Sequence, residues 1–451
     1  NFTEGKIFSP LLKFTIPILL TLFLQTMYGA VDLLIVGQFG GAADVSAVST
    51  GSQVMTTITV MITGLVMGIT ILIGQKLGEG KFKEAEDVVG SGISIFIVIA
   101  VIITILVVSF ASPISTFMHA PKEAFDSTVT YIKICSAGAV FIVSYNIIGG
   151  VFRGLGDSKT PLITVGIACV TNIIGDLIFV GLFKMAAMGA ALATIMAQGI
   201  SVILCLGIIK KRGLPFEFSR KSIKFHKGIT SKIIKYGAPI SLQDGLVHLS
   251  FLAIMIIGNS MGVIPSAGIG VAEKLVGFIM LISSSFSQAV STFVAQNYGA
   301  KKYHRVKYTY ILANKAGAII SIIAFILFQL FPMEIISLFG SGTEEYYQFA
   351  TKFFRIFLFF ICINFIQPIT STFFTSIGKP IKGIFLSLTR QIIYLLPLII
   401  ILPLFFGIDG IIFAGPAADL IAAITCLITI SIEFKNMKQL ELVEEHQNIH
   451  L

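Results

Sequence analysis

Charge is what this 451-residue chain has least of. Asp, Glu, Lys and Arg make up 12% of it, against about 25% in an ordinary soluble domain. That is half the charge needed to cover a water-facing surface, so a soluble globular protein is excluded. With 55% hydrophobic residues and a mean hydropathy of +0.93, a disordered chain is excluded as well. Tryptophan is absent, and the five cysteines (Cys135, Cys169, Cys205, Cys362, Cys426) all lie in apolar runs without CxxC or Cys/His spacing. Neither a disulfide framework nor a zinc site is expected. No HExxH, GxSxG or GxxxxGK[ST] motif occurs, so an enzyme is not expected and neither is a cofactor. The glycines of GGVFRGLGDSK follow no strand and read as a tight loop between helices. The chain begins at Asn1, so a start is expected to have been trimmed. The first apolar run carries Asp32 and lacks a small-residue cleavage site, so it is not a signal peptide.

What is present is a succession of long apolar runs broken by short charged clusters, the pattern of an all-α polytopic membrane protein. Twelve spans are expected, at about 11–38, 47–76, 90–112, 128–152, 161–183, 188–210, 233–259, 267–298, 311–333, 346–374, 383–405 and 410–433. At ~20 apolar residues each they leave room for short loops and one longer connector, and for no soluble catalytic domain. That connector divides the chain into an N-terminal lobe (1–210), an inter-lobe loop (211–232) and a C-terminal lobe (233–451).

The net charge of +9 invites a nucleic-acid reading, but its placement argues otherwise. Of the 32 Lys and Arg residues, five (Lys122, Lys133, Lys184, Lys352, Arg355) lie toward one side and two (Lys274, Arg390) inside spans. The other 25 fall at the termini and at the alternate connections that share their side. This is the positive-inside asymmetry, which puts both termini and the inter-lobe loop in the cytoplasm. No nucleic-acid partner is expected; the membrane lipid is.

The chain also repeats itself. KFTIPIL around Pro17 matches KYGAPIS around Pro239, and IGQKLGEGKFKEA around Gly78 matches VAQNYGAKKYHRV around Gly299. VFRGLGDSKTP around Gly156 matches FFTSIGKPIKG around Gly378, and MGAALAT around Gly189 matches DGIIFAG around Gly410. The offsets are 222, 221, 222 and 221. Six spans per half is an even number, so both halves insert the same way round. Such a parallel repeat is an arrangement of secondary transporters, with a central site between the halves.

Ionisable groups inside spans are costly and mark candidate sites. In span 1, Thr21, Gln25, Tyr28 and Asp32 recur at steps of 4, 3 and 4 and so share one helix face. Span 5 sets Asn172 and Asp176 one turn apart; span 6 does the same with Thr194 and Gln198. Two carboxylates with amide and hydroxyl oxygens form a hard-oxygen set for a small cation, or a pair that shares a proton. The plainer alternative for either acid is a helix–helix hydrogen bond. The C-terminal half offers Ser241, Asp244 and His248 in span 7, Glu273 and Lys274 in span 8, Arg390 and Tyr394 in span 11 and Asp419 in span 12. Arg390 is expected to pair with Glu273, Asp244 or Asp419, and His248 reads equally as a hydrogen-bonded interior histidine.

Over essentially its whole length the sequence resembles the multidrug and toxin extrusion family of transporters. The most specific local features are Pro17 fifteen residues before Asp32 in YGAVDLLIVGQFG, the FRGLGDSKTP turn, and TNIIGDLIFVG in span 5. In the prokaryotic branch with an acid pair in the N-terminal lobe, the resemblance implies a cation site at Asp32, Asn172, Asp176 and Thr194, with Tyr131 in the same network. That site would hold sodium or a proton, while Gln25, Tyr28 and Gln198 would line the substrate cavity. Another branch carries a Glu in span 7 where this chain has Val247, leaving Asp244 or Glu273 to stand in. The resemblance implies a monomeric antiporter that exports organic, often cationic and lipophilic, small molecules by alternating access. The rivals are a lipid-linked precursor flippase of the same superfamily and, less in keeping with the repeat, a channel. The abundance of Ile, Lys, Phe and Asn points to a bacterial cytoplasmic membrane.

Overall fold

The computed structural model of the chain describes residues 2–260, 263–337, 344–359 and 361–449. Among them there are helices and no strands. The first half runs through α1 (Phe8–Phe39), α2 (Ala42–Gly78), α3 (Phe82–Ser109), α4 (Ala111–Phe117), α5 (Phe125–Ala137), α6 (Ala139–Gly154), α7 (Lys159–Asp176) and α8 (Ala186–Arg212). The second runs through α9 (Lys227–Ser260), α10 (Val263–Gly299), α11 (Tyr303–Leu330), α12 (Pro332–Ser337), α13 (Glu344–Phe359), α14 (Ile361–Asn364), α15 (Ile366–Ser376), α16 (Pro380–Leu388), α17 (Leu396–Phe406) and α18 (Ile408–Ile449). Each of the twelve expected spans coincides with helix. Nine helices of the described residues are long and apolar enough to cross a membrane, and the α5–α6 pair, bent by 51°, makes a tenth. In span 10 a turn at Phe365 separates α14 from α15. Spans 5 and 11 are interrupted by π-helical turns, Leu177–Leu182 and Thr389–Leu395, a local widening that is frequent at functional sites.

The outer surface is apolar: Leu404 and Phe405 are 78% and 76% exposed, which suits lipid and not water. The interior carries many small and hydroxyl residues, because in lipid helix association rests on close packing and polar contacts rather than on hydrophobic burial.

The chain packs into two units, one of Lys13–Ser241 and one of Phe2–Leu12 with Leu242–Leu451. The division falls inside α9, whose first half lies on α2 in the first unit. A Cβ on Gly68 would stand 2.3 Å from the Ile233 carbonyl oxygen, and one on Gly237 would stand 2.4 Å from that of Leu65. Only glycine permits this approach on either helix. The connector adds to it: the Ser222 hydroxyl donates to Glu86, and the His226 ring meets Ser91 at 3.1 Å and Asp87 at 3.7 Å.

In the second unit the N-terminal arm lies on α10 and α11. Phe2 stacks on Phe293 with ring centroids 3.8 Å apart. Arg305 donates to the carbonyls of Phe2, Glu4 and Gly5 at 2.9, 3.1 and 2.7 Å, and Lys302 donates to that of Thr3 at 2.9 Å.

The repeat survives as geometry. Gly156 and Gly378 occupy matching turns at φ +86° and +82°, the left-handed region that glycine enters without steric cost. Each turn is tied to the last helix of its own half of the chain, with the polarity reversed. In the first, Asp157 lies 3.9 Å from Arg212 and accepts from the Thr160 hydroxyl at 2.6 Å. In the second, Lys379 and Lys382 both donate to the buried Glu433, Lys382 at 2.9 Å.

Candidate functional site: an acid pair in the N-terminal unit

Pro17 lies inside α1, and the face defined by Thr21, Gln25, Tyr28 and Asp32 packs against helices of its own unit. Thr21 donates back to the Pro17 carbonyl at 2.7 Å. Asp32 is 4% exposed, Asn172 1% and Asp176 0%. Asp176 closes α7, immediately before the π-helical turn, with Asn172 one turn earlier on the same face. Asp176, Thr194 and Asn172 are neighbours of Asp32. The Thr194 hydroxyl lies 3.5 Å from Asp32 Oδ2 and 3.0 Å from the Ala190 carbonyl.

The rest of the cluster lacks hydrogen-bond partners. Asp32 Oδ1, both carboxylate oxygens of Asp176, and Oδ1 and Nδ2 of Asn172 are buried without one. Leaving a buried polar atom unpaired costs about 1–3 kcal/mol, more when it is charged. Two acids this close in an apolar bundle cannot both remain ionised without a counter-charge. The set of unpaired oxygens therefore fits a small cation or a proton. Among the described residues no group of three or more His, Cys, Asp or Glu side chains is placed to hold a metal ion.

A line of hydrogen bonds adjoins the pair. Gln198 Nε2 donates to the Tyr28 hydroxyl at 3.3 Å, and Gln25 Nε2 to the Tyr145 hydroxyl at 3.2 Å. Tyr131 is buried on α5, with Cys135, Asp32 and Tyr28 as its electrostatic neighbours. It fits because a Cβ on Gly51 would stand 2.4 Å from its ring. The structure thus brings Asp32, Asn172, Asp176, Thr194, Tyr131, Gln25, Tyr28 and Gln198 into one unit. Sequence reasoning missed Tyr145 and Asn146, which accepts from Thr63 at 3.0 Å. Both are polar residues within a span, and that was the available signal.

The second unit is built differently. Arg390, in the π-helical turn of span 11, donates to Asp419 Oδ1 through Nε at 2.7 Å and Nη2 at 2.6 Å. Asn364 donates to the other carboxylate oxygen at 2.8 Å. The acid is Asp419 and its charge is matched, so it offers no open oxygen set. Tyr394 pairs with Thr425 at 2.9 Å, away from that bridge. A neutral network lies beside it: Ser250 donates to Gln391 at 2.7 Å, and Ser387 to Gln243 at 2.5 Å. Asp244 is half-buried and His248 exposed, and neither joins these bonds. The side chains of Glu273 and Lys274 lie outside the described residues.

Apolar spans around a buried, incompletely satisfied acid pair define a multi-pass membrane transporter. The MatE family model matches residues 17–178 and again 239–401, the same displacement at which the sequence repeats. The chain belongs to the MatE family of multidrug efflux transporters. It is 30% identical over 314 residues to the probable multidrug resistance protein YpnP of Bacillus subtilis, covering 68% of each chain. It is 22% identical over 422 residues to the multidrug export protein MepA of Staphylococcus haemolyticus, covering 94% of this chain and 93% of that one. Its fold is that of a solved outward-facing multidrug resistance MATE transporter, at 20% identity and TM-score 0.91 over 97% of this chain and 98% of the other. The twelve-helix architecture is thereby that of the family.

Proposed function

We propose that the protein is an antiporter of a bacterial cytoplasmic membrane. It exports organic, often cationic and lipophilic compounds in exchange for sodium ions or protons that bind at Asp32 and Asp176. The observation that carries this reading is the cluster of five buried polar atoms on Asp32, Asn172 and Asp176 without hydrogen-bond partners. A sodium ion there takes oxygens from both acids, from Asn172 and from the Thr194 hydroxyl; a proton is shared between the acids. Gln25, Tyr28 and Gln198 border the pair and contact substrate, with Tyr131 backing Tyr28. Coupling follows when cation and substrate favour different conformational states, since only differential affinity moves such an equilibrium. Asp419, held by Arg390 and Asn364, plays a structural part. Both termini and the connector lie in the cytoplasm, and the protein works as a monomer without a cofactor.

The test is ethidium efflux in vesicles with sodium and proton gradients imposed separately. Asp32→Asn and Asp176→Asn are each expected to abolish gradient-driven export at normal expression. Near-normal export by both would place the coupling site elsewhere.

A further inference from the structure

Arg153 sits in the last turn of α6, in the sequence VFRGLGD. An arginine at a span end ordinarily extends its guanidinium to water. Here the side chain follows the tilt of the Cα–Cβ bond toward the helix N-terminus and runs back into the unit. Its Nη1 stands 3.3 Å from where a Cβ on Gly149 would be, one turn earlier, so that glycine makes the room. Its Nε and Nη2 are buried without a hydrogen-bond partner, and no carboxylate of the described residues forms an ion pair with it. Arg390, an arginine inside a span, has an aspartate on its guanidinium. Guanidinium nitrogens buried without an acceptor are costly for a bundle to keep.

A third donor lies in the same helix. Tyr145, which is buried, Gly149 and Arg153 follow at steps of four along α6, so a guanidinium lying against Gly149 is directed toward Tyr145. The Tyr145 hydroxyl accepts from Gln25 Nε2 at 3.2 Å, which leaves its own proton to donate. Two guanidinium nitrogens and a phenol O–H, with no acceptor from the chain, are the complement of an anionic oxygen group. Arginine matches carboxylate and phosphate geometry through its planar fork.

We infer that Arg153 and Tyr145 form a binding site for an anionic oxygen group, either the carboxylate of a transported small molecule or the phosphate of an anionic lipid. This site is separate from the cation-binding acids and stands whether or not they couple transport.

The purified full chain allows a direct test, because its four described cysteines are buried and react with a thiol-sensitive fluorophore only on unfolding. Thermal unfolding is followed while titrating sodium benzoate or, separately, phosphatidylglycerol in mixed micelles, against sodium chloride and phosphatidylcholine controls. At least one anionic probe is expected to raise the midpoint of the wild type. Its apparent affinity should fall about tenfold in Arg153→Gln and about threefold in Tyr145→Phe, the usual sizes for a charged and a neutral hydrogen bond. Stabilisation by benzoate alone assigns the site to a substrate carboxylate, and by phosphatidylglycerol alone to a lipid; both support it. No stabilisation of the wild type by either probe, or an Arg153→Gln protein that responds as the wild type does, overturns the site. Should Arg153→Gln fail to fold, an unchanged response in Tyr145→Phe does the same.

Discussion

Three buried aspartates show how far one residue type depends on its neighbours. Asp419 accepts from Arg390 and Asn364, so its negative charge is compensated within the fold. Replacing it by asparagine leaves a guanidinium that is 11% exposed without its counter-ion. Loss of one partner of a buried pair costs about 3–5 kcal/mol. Asp419→Asn is therefore expected to lower the thermal midpoint sharply, and Asp419→Asn with Arg390→Met to recover much of it. Asp32 and Asp176 have no such partner in the chain, so Asp32→Asn should unfold at or above the wild-type temperature while export is lost. Thermal unfolding and efflux measured on the same preparations separate the two cases. Asp32→Asn unfolding as readily as Asp419→Asn would show that the pair serves the fold.

These distinctions were only half legible in the sequence. The steps between Thr21, Gln25, Tyr28 and Asp32, and the single turn from Asn172 to Asp176, are properties of one helix each, and helical periodicity states them directly. That Arg390 meets Asp419 and not Asp244 depends on distances between helices, which no periodicity carries. Arg153 looked like one more basic residue at a span end, because the direction of its side chain follows from the space beside Gly149.

At the scale of elements, α2 and the first half of α9 lie too close for side chains at Gly68 and Gly237. Gly68→Val is expected to cost about 1–3 kcal/mol through overpacking, visible as a lower thermal midpoint. Gly166, whose Cβ would meet nothing within 4 Å, should accept valine with little change in that midpoint. Equal losses at both positions would mean that helix propensity and not contact governs them. The π-helical turns were beyond sequence reading, since LTRQIIYLL carries no breaker where the ladder widens and Gly181 in TNIIGDLIFVG reads equally as an ordinary glycine within a span.

At the scale of the whole chain, the N-terminal arm is fastened to the second unit by the Phe2–Phe293 stack and by Gln296 and Asn297 at Phe2. A guanidinium and an ammonium take most of its carbonyls. Arg305 also receives support from Asn297 Oδ1 at 2.9 Å, which fixes the fork that grips three arm carbonyls. Arg305→Ala is expected to free residues 2–7, read as faster amide hydrogen exchange over that stretch with little change in α10. Unaltered exchange there would mean that the other contacts of the arm hold it without Arg305.

The reversed bridges carry a record of descent. If the two halves arose from one ancestral segment by duplication, the turn and the closing helix of one half have each changed sign since. Either change alone would have set acid against acid or base against base. The path therefore ran through an uncharged intermediate or through paired substitutions, and once finished it made the halves unequal. Glu433→Arg, which writes the first half's residue into the second, would face Lys379 and Lys382 with a third positive charge. Lineages that kept one polarity and lineages that reversed it could still exchange whole halves by recombination, but not a turn without the closing helix that matches it.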